Sequence, residues 1–232
     1  MAYDGSPFAG WAIQPGKRTV ESEVSAALAT VLREPVTLTV AGRTDRGVHA
    51  LGQVVSYTGP LPSLRSLNAV LPDEIAVVAA EEAPPGFSAR RDARSRAYRY
   101  RLLARSAPSP FERGRALWWP YPIEEAALHA CAEVLSGTHD FTAFTPRDTY
   151  HRRFERHVLA ARWEREGDVL AFHIEADSFM RQMNRVLVGT MLEVAGGSRA
   201  LESFTDLLTG RPRADAGRTA PAHGLYLHSV RY

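Results

Sequence analysis

A single cysteine, Cys131, is all the sequence offers, so no intrachain disulfide can form. It lies on the apolar stripe of "ALHACAEVL", the setting of a buried, inert thiol. No HxxxH or CxxC spacing occurs, and no metal site is expected. Lysine is as scarce: Lys17 stands alone among 28 basic residues. So complete a preference for arginine fits a base-composition bias as readily as a function. No apolar run approaches the ~20 residues of a membrane span. No charged-then-apolar leader opens the sequence. Together these absences predict a cytoplasmic protein with no membrane association. Low-complexity segments and short repeats are also missing.

What is present is ordinary in amount and uneven in placement. The 232 residues, 45% hydrophobic and 23% charged, suffice for one large domain or two fused halves with a good core. The formal net charge of +2 does not announce a nucleic-acid binder. Yet residues 90–105 carry Arg90, Arg91, Arg94, Arg96, Arg99, Arg101 and Arg105 against Asp92 alone. A second cluster holds Arg147, Arg152, Arg153 and Arg156. Such clusters track phosphates or form a solvated strand face, and the sequence leaves both open.

Periodicity predicts the elements. Thr19 can cap a helix bearing Glu21 and Glu23 in its first turn, with Val20, Val24, Leu28 and Val31 on one stripe and Pro35 stopping it. Val36, Leu38 and Val40 alternate with threonines as a half-buried strand. "GQVVSYTG", "EIAVVAAEEAP" and "RAYRYRLLAR" read as strands, and "LPSLRSLNAVLP" as a short helix. In the third strand Tyr98, Tyr100 and Leu102 share a face. The Pro-rich "APSPFERGRALWWPYP" reads as a connection, dividing the chain into halves at 1–106 and 107–232. In the second half, a helix over 124–135 is followed by strands in "RFERHVLAARWER" and "DVLAFHIEAD". Then come a long helix in "SFMRQMNRVLVGTMLEVAGG", a shorter one in "ALESFTDLLTG" and a final strand "GLYLHSVRY". The order implies an α+β fold with helices against a mostly antiparallel sheet.

Two residues stand out. Asp45 hangs in "AGRTDRGVHALGQVV" from a strand end, where an aspartate ordinarily caps a turn. Arg185 lies inside the long helix, on a stretch apolar nearly all round. Its stem can snorkel to solvent, or it can be buried against a carboxylate, for which Asp45 is a candidate.

At this point the motifs resemble a known family. "YDGSPFAGW", "AGRTDRGVHALGQVV", "FSARRDARSRAYRYRL", "FTAF", "SFMRQMNRVLVG" and "TAPAHGLYLHSVRY" occur in the order seen in bacterial tRNA pseudouridine synthase A. The resemblance implies that Asp45 is the catalytic nucleophile and that Arg43 helps extrude the target base. It implies that Tyr98 stacks on the uracil and that Arg185 pairs with Asp45. Arg43, Thr44, Arg46, Gly47 and His49 are then the substrate-binding remainder of the loop. The fold implied is two similar α/β halves sharing an antiparallel sheet, with a central active-site cleft. The implied reaction converts uridine to pseudouridine at positions thirty-eight, thirty-nine and forty of the tRNA anticodon stem-loop. The implied partners are tRNA and a second copy of the chain; no cofactor or metal is implied. The sequence departs from the family in two places. Only Met1 and Ala2 precede Tyr3, where the family has a longer first strand, and Asn184 replaces the usual valine, a polar group expected to be satisfied locally.

The chemistry suits these residue types. The reaction breaks an N–C glycosidic bond, turns the uracil and forms a C–C bond, with no change in electron count. A flipped base costs a few kcal/mol of lost stacking, of which an aromatic ring returns ~1–3 kcal/mol. A desolvated carboxylate must be kept ionised to act as nucleophile, and a nearby arginine does that. Attack at C1′, addition at C6 and a glycal route all remain open. Gly47 lets the loop turn closely, and His49 shapes it. The competing readings are a noncatalytic RNA-binding protein of the same fold and a purely structural α+β protein.

Overall fold

The computed structural model describes residues 1–149 and 151–232, and the chain divides into two compact units. The first comprises residues 1–94 with 226–232; the second, residues 95–225. Helices packed with mostly antiparallel strands make the fold α+β.

In the first unit, strand β1 (Ala2–Tyr3) is followed by helix α1 (Val20–Leu32). Thr19 caps α1 through a reciprocal box: its hydroxyl accepts from Ser22 N–H at 3.3 Å, and Ser22 Oγ accepts from Thr19 N–H at 3.2 Å. Val20, Val24 and Leu28 are buried, as the helical spacing predicts. Arg33 ends the helix in the left-handed conformation at φ 61°, with Pro35 just beyond. The alternating run at 36–40 pairs only at its end. Strand β2 (Thr39–Val40) is antiparallel to β4 (Val55–Ser56), which is itself two residues long. Between them lies β3 (His49–Ala50), inside the signature. It pairs antiparallel with β1 and parallel with the C-terminal strand, which also puts Tyr226 opposite His49. Helix α2 (Leu64–Val70) and strand β5 (Ile75–Ala76), antiparallel to β1, complete this unit.

The second unit holds the longer elements. Strands β6 (Ser95–Leu103), β9 (Glu155–Glu166) and β10 (Val169–Ala176) form an antiparallel block, with eight residue pairs between β6 and β10. Gly167, at φ 62°, turns β9 into β10. Strand β7 (Leu117–Trp118) emerges from the Pro-rich stretch that the sequence presents as a bare connection, and pairs parallel with β6. Strand β8 (Gly137–Asp140) pairs with β9. Helices α3 (Glu125–Glu133), α4 (Met183–Ala195) and α5 (Leu201–Asp206) pack around Leu128, Cys131, Leu187, Met191 and Phe204, all buried. The α4 helix is shorter than its apolar periodicity predicts. Gln182 takes the left-handed conformation at φ 60°, so the helix starts at Met183 and Phe179 lies off it. Strand β11 (Leu225–Arg231) then carries the chain back into the first unit.

The basic run at 90–105 is partly neutralised within the second unit. Arg99 pairs with Glu166, Arg101 with Glu112 at 2.6 Å and Arg105 with Asp168 at 2.9 Å. Arg90, Arg91 and Arg94 are exposed in the first unit.

Candidate active site

The signature loop of the first unit is held from three sides. Its tip is a turn over residues 45–48, closed by Val48 N–H donating to the Asp45 carbonyl at 3.1 Å. Gly47 sits at the third corner with φ 76°, the value a type II turn requires and a side chain resists. Behind it, Gly10 approaches so closely that a Cβ there would lie 3.1 Å from the Thr44 carbonyl and 3.2 Å from Arg46 N. Trp11 N–H donates to that Thr44 carbonyl at 3.0 Å. Gly5 presses on the far side, where a Cβ would overlap the Val48 carbonyl.

A buried polar chain grips the residues before Asp45. Gln53, fully buried, donates from Nε2 to the Gly42 carbonyl at 2.8 Å and to the Tyr3 hydroxyl at 3.2 Å. The Tyr3 hydroxyl shares a 2.8 Å hydrogen bond with Thr44 Oγ1. Burial pushes the Tyr3 phenol up to about 12, so it stays a neutral partner. The clamp therefore fixes the backbone on both sides of Arg43. Asp45 is half-buried, and Arg43 and Arg46 are exposed. His49 is buried, its ring stacked on Tyr226 at 4.6 Å. Its Nδ1 accepts from Gly5 N–H at 3.1 Å, and Asp4 Oδ1 lies 3.2 Å from the same nitrogen. This histidine shapes the loop.

Tyr98 and Arg185 belong to the second unit. Tyr98, on β6, is buried and meets the Phe179 ring edge-on at 4.9 Å. Arg185, in the first turn of α4, is half-buried and does not simply snorkel: its Nε donates to the Ala220 carbonyl at 2.7 Å, and its own carbonyl accepts from Ala220 N–H at 3.0 Å. The strap around residue 220 lies tight on α4, since a Cβ on Gly189 would fall on the Arg218 carbonyl. Nearby, Tyr100 donates to the Pro221 carbonyl at 2.9 Å; burial raises its phenol strongly, with the Arg185 charge opposing. Asn184 corrects an expectation. It is buried, and its Oδ1 finds no hydrogen-bond partner among the described residues.

Sequence reasoning missed the clamp of Tyr3, Gln53 and Gly10. The one signal was Gln53 itself, a polar residue inside an apolar strand pattern. Among the described residues, one carboxylate and histidine group has metal-like spacing: Glu164, Glu166 and His173. Both carboxylates are already engaged, by Arg162 at 2.6 Å and by Arg99.

The comparisons with known proteins bear on the whole length. The chain is 38% identical to a protein named tRNA pseudouridine synthase A from Bacillus pumilus, over 100% of this chain and 97% of that one. The chain belongs to the tRNA pseudouridine synthase A family. Proteins of the same name from Bacillus velezensis and Bacillus subtilis are 40% and 39% identical, again over 100% of this chain and 97% of theirs. The family model described as tRNA pseudouridine synthase matches residues 131–232. A solved chain from a crystal structure of a Cbf5-Nop10-Gar1 complex is similar over 84% of this chain and 54% of its own, at 15% identity and a TM-score of 0.39, too distant to bear on the site.

Proposed function

We propose that this chain isomerises uridine to pseudouridine at positions thirty-eight, thirty-nine and forty of the tRNA anticodon stem-loop, with Asp45 as nucleophile. The observation that carries the reading is the clamped loop: a half-buried carboxylate on a turn that Gln53, Tyr3, Thr44 and Gly10 hold in place, in a chain of this family. Preorganisation of this kind is what a reacting carboxylate needs. Exposed Arg43 helps draw the target base out of its stack, and Tyr98 offers the ring against which uracil stacks. Arg185 pairs with Asp45 and keeps it ionised; the family motif and the charge chemistry support that pairing. The N1–C1′ bond breaks, the uracil turns, C5 bonds to C1′, the C5 hydrogen leaves as a proton, and N1 takes up a proton in its place. The sum is an isomerisation. The same reading places the protein in the cytoplasm as a homodimer. A noncatalytic RNA-binding role is not favoured, since the full-length relatives are named synthases.

The deciding measurement is tritium release from tRNA labelled at uridine C5, because the isomerisation expels that hydrogen. Release is expected from unmodified tRNA. No release by folded protein across several unmodified tRNAs would reject the enzymatic reading.

A further inference from the structure

A cavity of about 320 Å³ opens beside the catalytic turn, entirely within the first unit. It is lined by Ser6, Pro7, Phe8, Lys17, Arg18 and Arg46, with Ala9. Three of these side chains are cations, but they are not alike. Arg18 is already balanced: it lies 4.7 Å above the Phe8 ring and pairs with Glu23 at 2.8 Å and Glu74 at 3.1 Å. It works as a wall. Lys17 donates to the neutral Gln14 Oε1 at 3.1 Å, so its charge is uncompensated. Arg46 is exposed and makes no hydrogen bond or ion pair among the described residues. The only lysine of the chain thus stands at the same cavity as the arginine that follows the nucleophile. The Ser6 hydroxyl, also without a protein partner there, adds a donor.

We infer that this cavity is a subsite for a backbone phosphate of the RNA substrate, one flanking the nucleotide that Asp45 attacks; the assignment rests on the function proposed above. A forked guanidinium, a compact ammonium and a hydroxyl suit a tetrahedral oxyanion. Pro7 and Phe8 offer an apolar wall to the adjoining sugar. The position follows from covalent geometry. Consecutive Cα atoms are about 3.8 Å apart, and every ribose carries phosphates on both sides. A carboxylate reaching a ribose carbon therefore brings its neighbour Arg46 within reach of one of them. Docking that phosphate sets the register of the nucleotide over Asp45, as phosphate contacts do in general.

Lys17 makes the test selective, being the only side-chain amine in the sequence. Unmodified tRNA should shield Lys17 from an amine-acylating reagent, read by mass spectrometry, whereas inorganic phosphate at the same phosphate concentration should not. Lys17→Ala should weaken tRNA binding several-fold, with the loss falling on KM more than kcat. It should also reduce the slope of log affinity against log salt by about 0.7–0.9, one phosphate contact. Lys17→Arg should restore both. Equal acylation with and without tRNA, or an unchanged salt slope in folded Lys17→Ala protein, overturns the subsite. Shielding by inorganic phosphate but not by tRNA overturns it too. Tritium release by the unsubstituted protein is scored separately, so loss of the subsite and loss of the isomerase reading give different results.

Discussion

At the scale of single residues, the turn and the carboxylate of Asp45 are separable. The turn closes through the Asp45 backbone carbonyl, which any residue supplies. Asp45→Asn should therefore keep the loop, leave tRNA affinity little changed, since phosphate contacts dominate affinity, and abolish tritium release. A turn-capping aspartate predicts near silence instead, because asparagine serves turns equally well. Substantial release by folded Asp45→Asn protein, with deamidation excluded, would dismiss the nucleophile. Arg185→Leu should also cripple turnover, and it additionally removes the donor to the Ala220 carbonyl. The loop itself was legible in the sequence because its motif is local. Its clamp was not, because Tyr3 on β1 and Gln53 between β3 and β4 reach Thr44 and Gly42 from elsewhere in the chain, and no spacing rule links a tyrosine to a glutamine fifty residues on.

At the scale of elements, legibility followed length. Helix α1 and strands β6, β9 and β10 show several repeats of their period, and each was readable. Strands β1, β3 and β7 have two residues each, too few to display an alternation, whereas the equally short β2, β4 and β5 were read only because longer apolar runs surround them. The α4 helix was overextended because apolar residues continue upstream of it, while the left-handed Gln182 that interrupts them leaves no compositional mark. Packing also reverses a rule of helix propensity here. In an exposed helix, Gly→Ala is stabilising by roughly 1 kcal/mol. In α4, Gly189→Ala meets the Arg218 carbonyl and should destabilise by about 1–3 kcal/mol, the range for overpacking. Urea unfolding checks the sign. At the other unit, Thr19→Ala should cost about 1 kcal/mol by unmaking the α1 cap.

At the scale of the whole molecule, burial sets an alkaline limit. Tyr3 and Cys131 are both pushed up to about 12 from 10.0 and 9.0. A group held neutral in the folded chain but free to ionise in the unfolded one favours folding below its unfolded value and loses that contribution as pH rises towards the folded one. Thermal melts should thus show Tm declining from about pH 9 upward on account of these two groups. A Tm flat to pH 11 would contradict their burial. The proposed homodimer is a matter for light scattering, where a monomer at micromolar concentration would refute it. None of the second unit's helices, nor any other in the described chain, is long and apolar enough to cross a membrane.

Strand β11 has a consequence for biosynthesis. Residues 226–232 complete the first unit, yet the ribosome must translate all of residues 95–225 before reaching them. At about 5–20 residues per second, that delay is on the order of ten seconds. Throughout it, β3 lacks its parallel neighbour and His49 lacks the Tyr226 ring on which it stacks. A nascent chain stalled anywhere in the second unit thus carries the signature loop without its finished support. Translation to the end of the strand, rather than of the motif, is the event that makes the enzyme.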